Sequence, residues 1–305
     1  MTGIPVRPRA AFIGLGAIGR PMARHVASGT TLAVWNRTRS KAAEFATETG
    51  ARDAATVADA ADGVDFFMTC LPTSQQVEQV LFGTGDAAAH LRPGCVVIDC
   101  TSGDPATSRK IADRLAANGI AFIDAPVSGG VVGAEAGKLT VMVGGDAGVL
   151  ERARGILDLF AAKIVHCGAV GTGDAVKAVN NALLAVHVWS TAEGLAMLTK
   201  LGVDPAVALD VINSSSGRSN SSINLFPQRV LNRSFPRTFR LALLDKDVRI
   251  ATGIARETGT PADLLDVTSR LFAEAHRELG EEADHVEAVK VVEQRAGTII
   301  GSPTQ

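Results

Sequence analysis

The chain has 305 residues, 46% hydrophobic and 20% charged, which suits an ordinary globular protein of about two domains that buries its own core. A net charge of −2 and a pI near 6.3 exclude a broad basic field, so neither nucleic acid nor an anionic membrane is an expected partner. Cys70, Cys95, Cys100 and Cys167 form no CxxC pair, so free thiols in a reducing, cytoplasmic compartment are expected.

The N-terminus carries Arg7 and Arg9, but Gly14, Gly16 and Gly19 interrupt the apolar run that follows, so it does not read as a signal peptide. Short β-like runs then alternate with helical patterns. Ala10–Gly14, Thr31–Asn36, Asp65–Cys70, Cys95–Cys100 and Ala121–Asp124 read as strands, and Leu139–Val143 and Lys163–His166 add two more. Helical patterns fall between them, as at Ala17–Ser28, Ser40–Thr49 and Thr107–Asn118. This alternation predicts an α/β fold with a doubly wound parallel sheet covered on both faces. After Gly171 the strand signal stops. Helices are predicted near Asp174–Leu201, Pro205–Ile212, Phe239–Thr258, Pro261–Leu279 and Asp284–Arg295. The expected division is a sheet domain over 1–168 and an all-α domain over 169–305.

The Asp174–Leu201 pattern is apolar on nearly all sides. At about 27 residues it would span roughly 40 Å. Such a helix is expected between domains or subunits, which favours a homodimer or homotetramer; the alternative is the central helix of a monomeric domain. Lys177, Asn180, Asn181, His187 and Glu193 argue against a membrane span.

The segment Gly14-Leu15-Gly16-Ala17-Ile18-Gly19 is a GxGxxG turn between a predicted strand and a predicted helix. Gly14 allows the tight turn, Gly16 lets a pyrophosphate approach the backbone, and Gly19 lets the helix pack on the sheet. The helix N-terminus offers free N–H groups and a positive dipole end to the phosphates. A glycine-rich connection without a ligand is the bland alternative. The second strand ends at Asn36-Arg37-Thr38, with no carboxylate for a ribose hydroxyl. Arg37 offers a fork of donors to a 2′-phosphate, and Asn36 and Thr38 add hydrogen-bonding groups. NADP is therefore the expected cofactor, unless Arg37 is simply a solvated loop arginine.

Lys177 and Asn181 stand at i and i+4, on one face of the long apolar helix. A buried lysine is costly unless paired or employed. Desolvation draws its pKa toward working pH, which suits proton transfer to an alkoxide. A snorkelling lysine with a capping asparagine is the alternative. Asn180, beside Asn181, joins the substrate-binding candidates. Ser128, Gly129 and Gly130 follow a predicted strand, where open α/β folds hold ligands, and could bind a carboxylate; they could equally be a turn. Lys246 falls beside Leu243 and Ile250 on a helical wheel, not on an open polar face; the bland alternative for Asp245–Asp247 is a solvated charge run. Arg218, in the polar stretch 213–224, is a candidate for a distal anionic group or part of a plain loop. The six histidines are scattered, and no metal site is expected.

Taken together, these motifs resemble the β-hydroxyacid dehydrogenase family, which includes 3-hydroxyisobutyrate dehydrogenase, tartronate semialdehyde reductase and glyoxylate/succinic semialdehyde reductase. The resemblance runs from Gly14 to about Arg295 and implies a Rossmann-type NADP-binding domain followed by an all-α domain. It implies that Lys177 is the catalytic lysine with Asn181 as its partner, and that Ser128, Gly129 and Gly130 meet the substrate carboxylate. It also implies cofactor contacts at Leu71, Pro72 and Ser102, with Lys246 near the nicotinamide. Thr101-Ser102 inverts the family's usual order, so either hydroxyl could serve. Ser214-Ser215-Ser216-Gly217-Arg218 looks more like hydroxyisobutyrate- or threonate-type dehydrogenases, some of which use NAD. The expected reaction is hydride transfer between NADP(H) and a small hydroxy acid or its semialdehyde. An imine reductase of the same architecture is the competing reading; that group usually lacks a lysine at the Lys177 position.

Overall fold

The computed structural model describes residues 7–301. They divide into two compact units, the second beginning at Ala178 inside one long helix.

The first unit begins with β1 (Arg9–Ile13), α1 (Gly19–Gly29), β2 (Thr31–Trp35), α2 (Arg39–Thr49), β3 (Arg52–Asp53) and α3 (Val57–Ala61). There follow β4 (Phe66–Thr69), α4 (Ser74–Phe82), α5 (Ala87–His90), β5 (Val96–Asp99) and α6 (Pro105–Ala116). It closes with β6 (Ala121–Asp124), β7 (Val127–Ser128), α7 (Gly130–Glu135), β8 (Leu139–Gly144), α8 (Ala147–Leu157) and β9 (Ala161–Gly168). The nine strands form one sheet in the order β3-β2-β1-β4-β5-β6-β8-β7, with β9 also paired to β8.

Strands β1 to β6 are parallel, and successive residues feed opposite cores. Ala10 and Phe12 of β1 pack on one side with Val96, Ile98 and Ile123; Ala11 and Ile13 pack on the other with Phe67, Val97 and Phe122. Near-continuous apolar runs are what a strand covered on both faces requires. Parallel pairing dominates, as the alternation of elements predicts, with an exception at one end of the sheet. β8 runs antiparallel to both β6 and β7. Helix starts are set locally: Thr73, Asp104 and Asp146 accept backbone N–H bonds at the starts of α4, α6 and α8.

Helix α9 (Thr172–Lys200) leads into the second unit, followed by α10 (Pro205–Asn213), α11 (Leu241–Thr258), α12 (Asp263–Leu279) and α13 (Ala288–Ala296). Its core joins Trp189, Phe226, Leu244, Val248, Phe272 and Val289, with the Trp189 and Phe272 rings 5.8 Å apart. Two expectations differ. The stretch read as a polar loop, 213–224, runs into a π-helical segment, Ser221–Val230, which holds Pro227. The run Asp284–Arg295 is a 3₁₀ turn, His285–Glu287, followed by α13. Helix α9 is long and apolar enough to cross a membrane by length and composition. Within the single chain, Val176, Val179, Leu183 and Met197 of this helix are exposed.

Candidate active site

In the first unit, β1 lies between β2 and β4, so the chain leaves β1 on one side and re-enters the sheet on the other. This reversal opens a crevice at the carboxyl ends of the strands, where open α/β sheets bind ligands. Gly14, Asn36, Leu71 and Ser102 follow those ends on β1, β2, β4 and β5. Gly14 has φ of +105°, and a methyl group there would run into the Cys70 carbonyl oxygen. One on Gly19 would strike the Gly14 carbonyl, while one on Gly16 would meet nothing within 4 Å. The turn is thus packed on its protein side and open at Gly16. A dinucleotide pyrophosphate fits that opening, at the N-terminus of the 11-residue α1.

Asn36 holds this turn in shape. Its Oδ1 accepts the Leu15 N–H at 3.0 Å and its Nδ2 donates to the Thr38 carbonyl at 3.0 Å. Arg37 is exposed at the strand tip. Arg39 is already committed, donating to the Ala54 carbonyl and pairing with Asp53 at 2.9 Å.

The next two loops are tied together. Thr101 is buried and its hydroxyl accepts the Leu71 N–H at 3.0 Å, while Ser102 is half-buried. Of the two hydroxyls left open by the sequence, Thr101 is therefore spent inside the protein. Asp99 accepts the Thr69 hydroxyl at 2.7 Å and the Thr101 N–H at 3.0 Å. Burial nevertheless pushes its carboxyl up to about 6, against those hydrogen bonds.

After β6, Asp124 turns back under the first turn of α9. It accepts N–H groups from Gly171 at 2.7 Å and Asp174 at 2.9 Å, two of the donors a helix start leaves unpaired. The Asp174 carboxyl points elsewhere, accepting the Gly103 N–H at 2.9 Å and the Ser108 hydroxyl at 2.6 Å. Burial raises both carboxyls, and the charges of Asp124 and Asp99 raise Asp174 further. One turn along α9, Lys177 is 9% exposed, so its amine sits on a buried face. Ser128 lies on β7, and Gly129 and Gly130, the cap and first residue of α7, adopt φ of +136° and +65°. Those left-handed values explain why glycines stand there.

In the second unit, Asn181 is 3% exposed and donates from Nδ2 to Asp247 Oδ2 at 2.6 Å; its Oδ1 accepts from Asn180 at 3.1 Å. An acceptor-only carboxylate fixes which way that amide points. Asp247 also pairs with Lys246 at 2.9 Å. The run is not a solvated one: Asp245 and Asp247 are each 1% exposed, and Asp245 reaches His276 at 3.0 Å. Arg218 is exposed in the stretch after α10. Sequence reasoning overlooked the buried acids Asp99, Asp174 and Asp247. Only Asp174 carried a signal, an acid in the first turn of a helix.

A pyrophosphate turn at a switch point, a loop pair beside it and a buried lysine define a class: an NAD(P)-dependent oxidoreductase acting on CH–OH groups. Comparison with known proteins agrees. Residues 9–168 match the family model of the NAD binding domain of 6-phosphogluconate dehydrogenase, and residues 171–292 match that of NAD-binding of NADP-dependent 3-hydroxyisobutyrate dehydrogenase. The chain is 35% identical over 291 residues to 2-(hydroxymethyl)glutarate dehydrogenase of Eubacterium barkeri, covering 95% of this chain and 96% of that protein. It is 35% identical over 271 residues to 3-hydroxyisobutyrate dehydrogenase of Pseudomonas aeruginosa, covering 86% and 90%. Mycobacterium tuberculosis 3-hydroxyisobutyrate dehydrogenase, solved with L-serine, superposes with a TM-score of 0.86 at 30% identity, over 94% of this chain and 99% of that one. The chain belongs to the β-hydroxyacid dehydrogenase family, the family of 3-hydroxyisobutyrate dehydrogenase.

Proposed function

We propose that this dehydrogenase uses NADP(H) to interconvert a small β-hydroxy acid and its semialdehyde, with Lys177 as the general acid and base. The observation that carries this reading is Lys177 itself, 9% exposed on an otherwise apolar helix with Asn181 one turn on. A desolvated amine there loses and regains a proton near working pH. In reduction Lys177 Nζ gives its proton to the carbonyl oxygen, and in oxidation the neutral amine takes the hydroxyl proton. Asn181, its amide aimed by Asp247, has a second N–H left for the substrate oxygen. Ser128 and the N–H groups of Gly129 and Gly130 hold the substrate carboxylate. Such anchoring fixes the reacting carbon and contributes several kcal/mol, while proton transfer adds about 10²–10⁴-fold.

Bound at the crevice, the reduced dinucleotide supplies the hydride. The residues Gly14 to Gly19 hold its pyrophosphate. Arg37 and Thr38 face the 2′-phosphate, and the absence of a carboxylate at that tip supports NADP over NAD. Leu71, Pro72 and Ser102 line the approach to the nicotinamide ring, and the family resemblance makes Lys246 a further cofactor candidate. Arg218 and Asn180 are candidates for recognising the rest of the substrate. The exposed apolar residues of α9 and α10, among them Leu183, Met197, Val207 and Val211, support a homodimer or homotetramer.

The test is a substrate screen. NADPH oxidation is followed with glyoxylate, succinic, tartronate and methylmalonate semialdehydes; NADP reduction is followed with 3-hydroxyisobutyrate, L-serine, threonate and 2-(hydroxymethyl)glutarate. At least one pair should turn over, with kcat/KM for NADP about tenfold or more above that for NAD. No turnover with any compound, or a preference for NAD, contradicts the reading.

A further inference from the structure

Asp174 is a buried carboxyl that the proposed chemistry does not use. It stands in the first turn of α9, three residues before Lys177 and on the same side of the helix. Its side chain does not cap its own helix. It crosses to the loop after β5, taking the Gly103 N–H at 2.9 Å and the Ser108 hydroxyl at 2.6 Å. Gly103 is close-packed against it: a methyl group there would come within 2.9 Å of Asp174 Oδ2. That loop carries Ser102, and Thr101 ties it to Leu71. From below, Asp124 takes the N–H of Asp174. One side chain therefore links the loops expected to hold the cofactor to the turn that carries the lysine.

We propose that Asp174 is a positioning residue: by clamping the first turn of α9 to Gly103 and Ser108, it sets where Lys177 stands relative to the cofactor loop. This rests on the reading of Lys177 as acid and base. The groups facing Asp174 are Asp124 from β6, Asp99 from β5 and Ser108 from α6, two acids and a hydroxyl. Burial and the two neighbouring acids push its carboxyl well above the usual range, while the Ser108 hydroxyl and the Gly103 N–H, both donating to it, pull the other way. Asparagine keeps both ties: its Oδ1 accepts the Gly103 N–H and, with the Ser108 hydroxyl turned, its amide N–H donates to Ser108 Oγ. Alanine removes the clamp and leaves two buried polar groups without a partner.

The experiment compares Lys177→Ala, Asp174→Ala, Asp174→Asn and Ser108→Ala in the full chain, oxidising whichever screened hydroxy acid turns over fastest. Asp174→Ala should lower kcat about tenfold or more with KM for the acid changed less than about threefold. A loosened lysine is better solvated, so the ionisation limiting oxidation should move to higher pH by about half a pH unit or more. Asp174→Asn should stay within about twofold of the parent with its pH profile unmoved. Ser108→Ala keeps the Gly103 bond and should lose about threefold in kcat, which carries the test if Asp174→Ala does not fold. Parental kcat in Asp174→Ala, or in Ser108→Ala where only that variant folds, overturns the clamp. So does an Asp174→Asn variant as damaged as the alanine one. Full activity in Lys177→Ala, or no turnover of any acid, removes the underlying reading and the clamp with it.

Discussion

Gly14 and Gly16 sit two residues apart in one turn, yet their substitution should fail differently. At Gly16 an added methyl group meets no atom within 4 Å, so the fold tolerates it, but it occupies the opening a pyrophosphate needs. Gly16→Ala should unfold within about 2 °C of the parent while raising KM for the dinucleotide about tenfold or more. Gly14 has φ of +105° and no room beside the Cys70 carbonyl. Gly14→Ala should therefore cost about 2 kcal/mol or more of stability, seen in chemical denaturation. Equal stability of the two variants would mean that these glycines do not divide the work between fold and ligand. The candidate roles of both glycines rest on motif spacing, and those proposed for Lys177 and Asn181 on a shared helix face together with the family resemblance. The roles of Asp174 and Asp247 are not legible that way, because each depends on a partner far away in the chain, Ser108 for one and Asn181 for the other.

The strand ends carry an energetic signature of their own. In the fold Asp99 keeps its proton up to about 6, against an ordinary value of 3.8. The native state thus binds a proton that the unfolded chain has released. The stability this proton contributes is full below about pH 4 and is lost as pH rises through about 6. Asp99→Asn cannot ionise and keeps an acceptor for the Thr69 hydroxyl and the Thr101 N–H. Its stability relative to the parent should therefore grow by about 2–3 kcal/mol between pH 4 and pH 8. A difference that stays flat or shrinks over that range would contradict the burial argument. Elements with strong periodicity were legible: β6 spans the expected residues, and β1, β2, α2 and α9 shift by one or two. Two-residue β3 and β7 are too short for any period to register. Pro227 and a run of serines and asparagine conceal the helical turn Ser221–Val230.

Across the molecule, the parallel strand order brings the glycine turn, the second-strand tip and two further loops to one crevice of the first unit. The sequence motifs are scattered over some 90 residues, yet their order along the chain was enough to place them on successive strand ends. The antiparallel β8 was not readable, since nothing in its apolar run specifies direction. Membership of the β-hydroxyacid dehydrogenase family fixes the class of reaction, and the lysine of α9 is what the proposed chemistry turns on. The most direct measurement is the single-turnover rate of hydride transfer in Lys177→Ala, beside the Kd for NADPH. The rate should fall by about 10²-fold or more while the Kd stays within about threefold of the parent. A rate within about twofold of the parent would contradict the account.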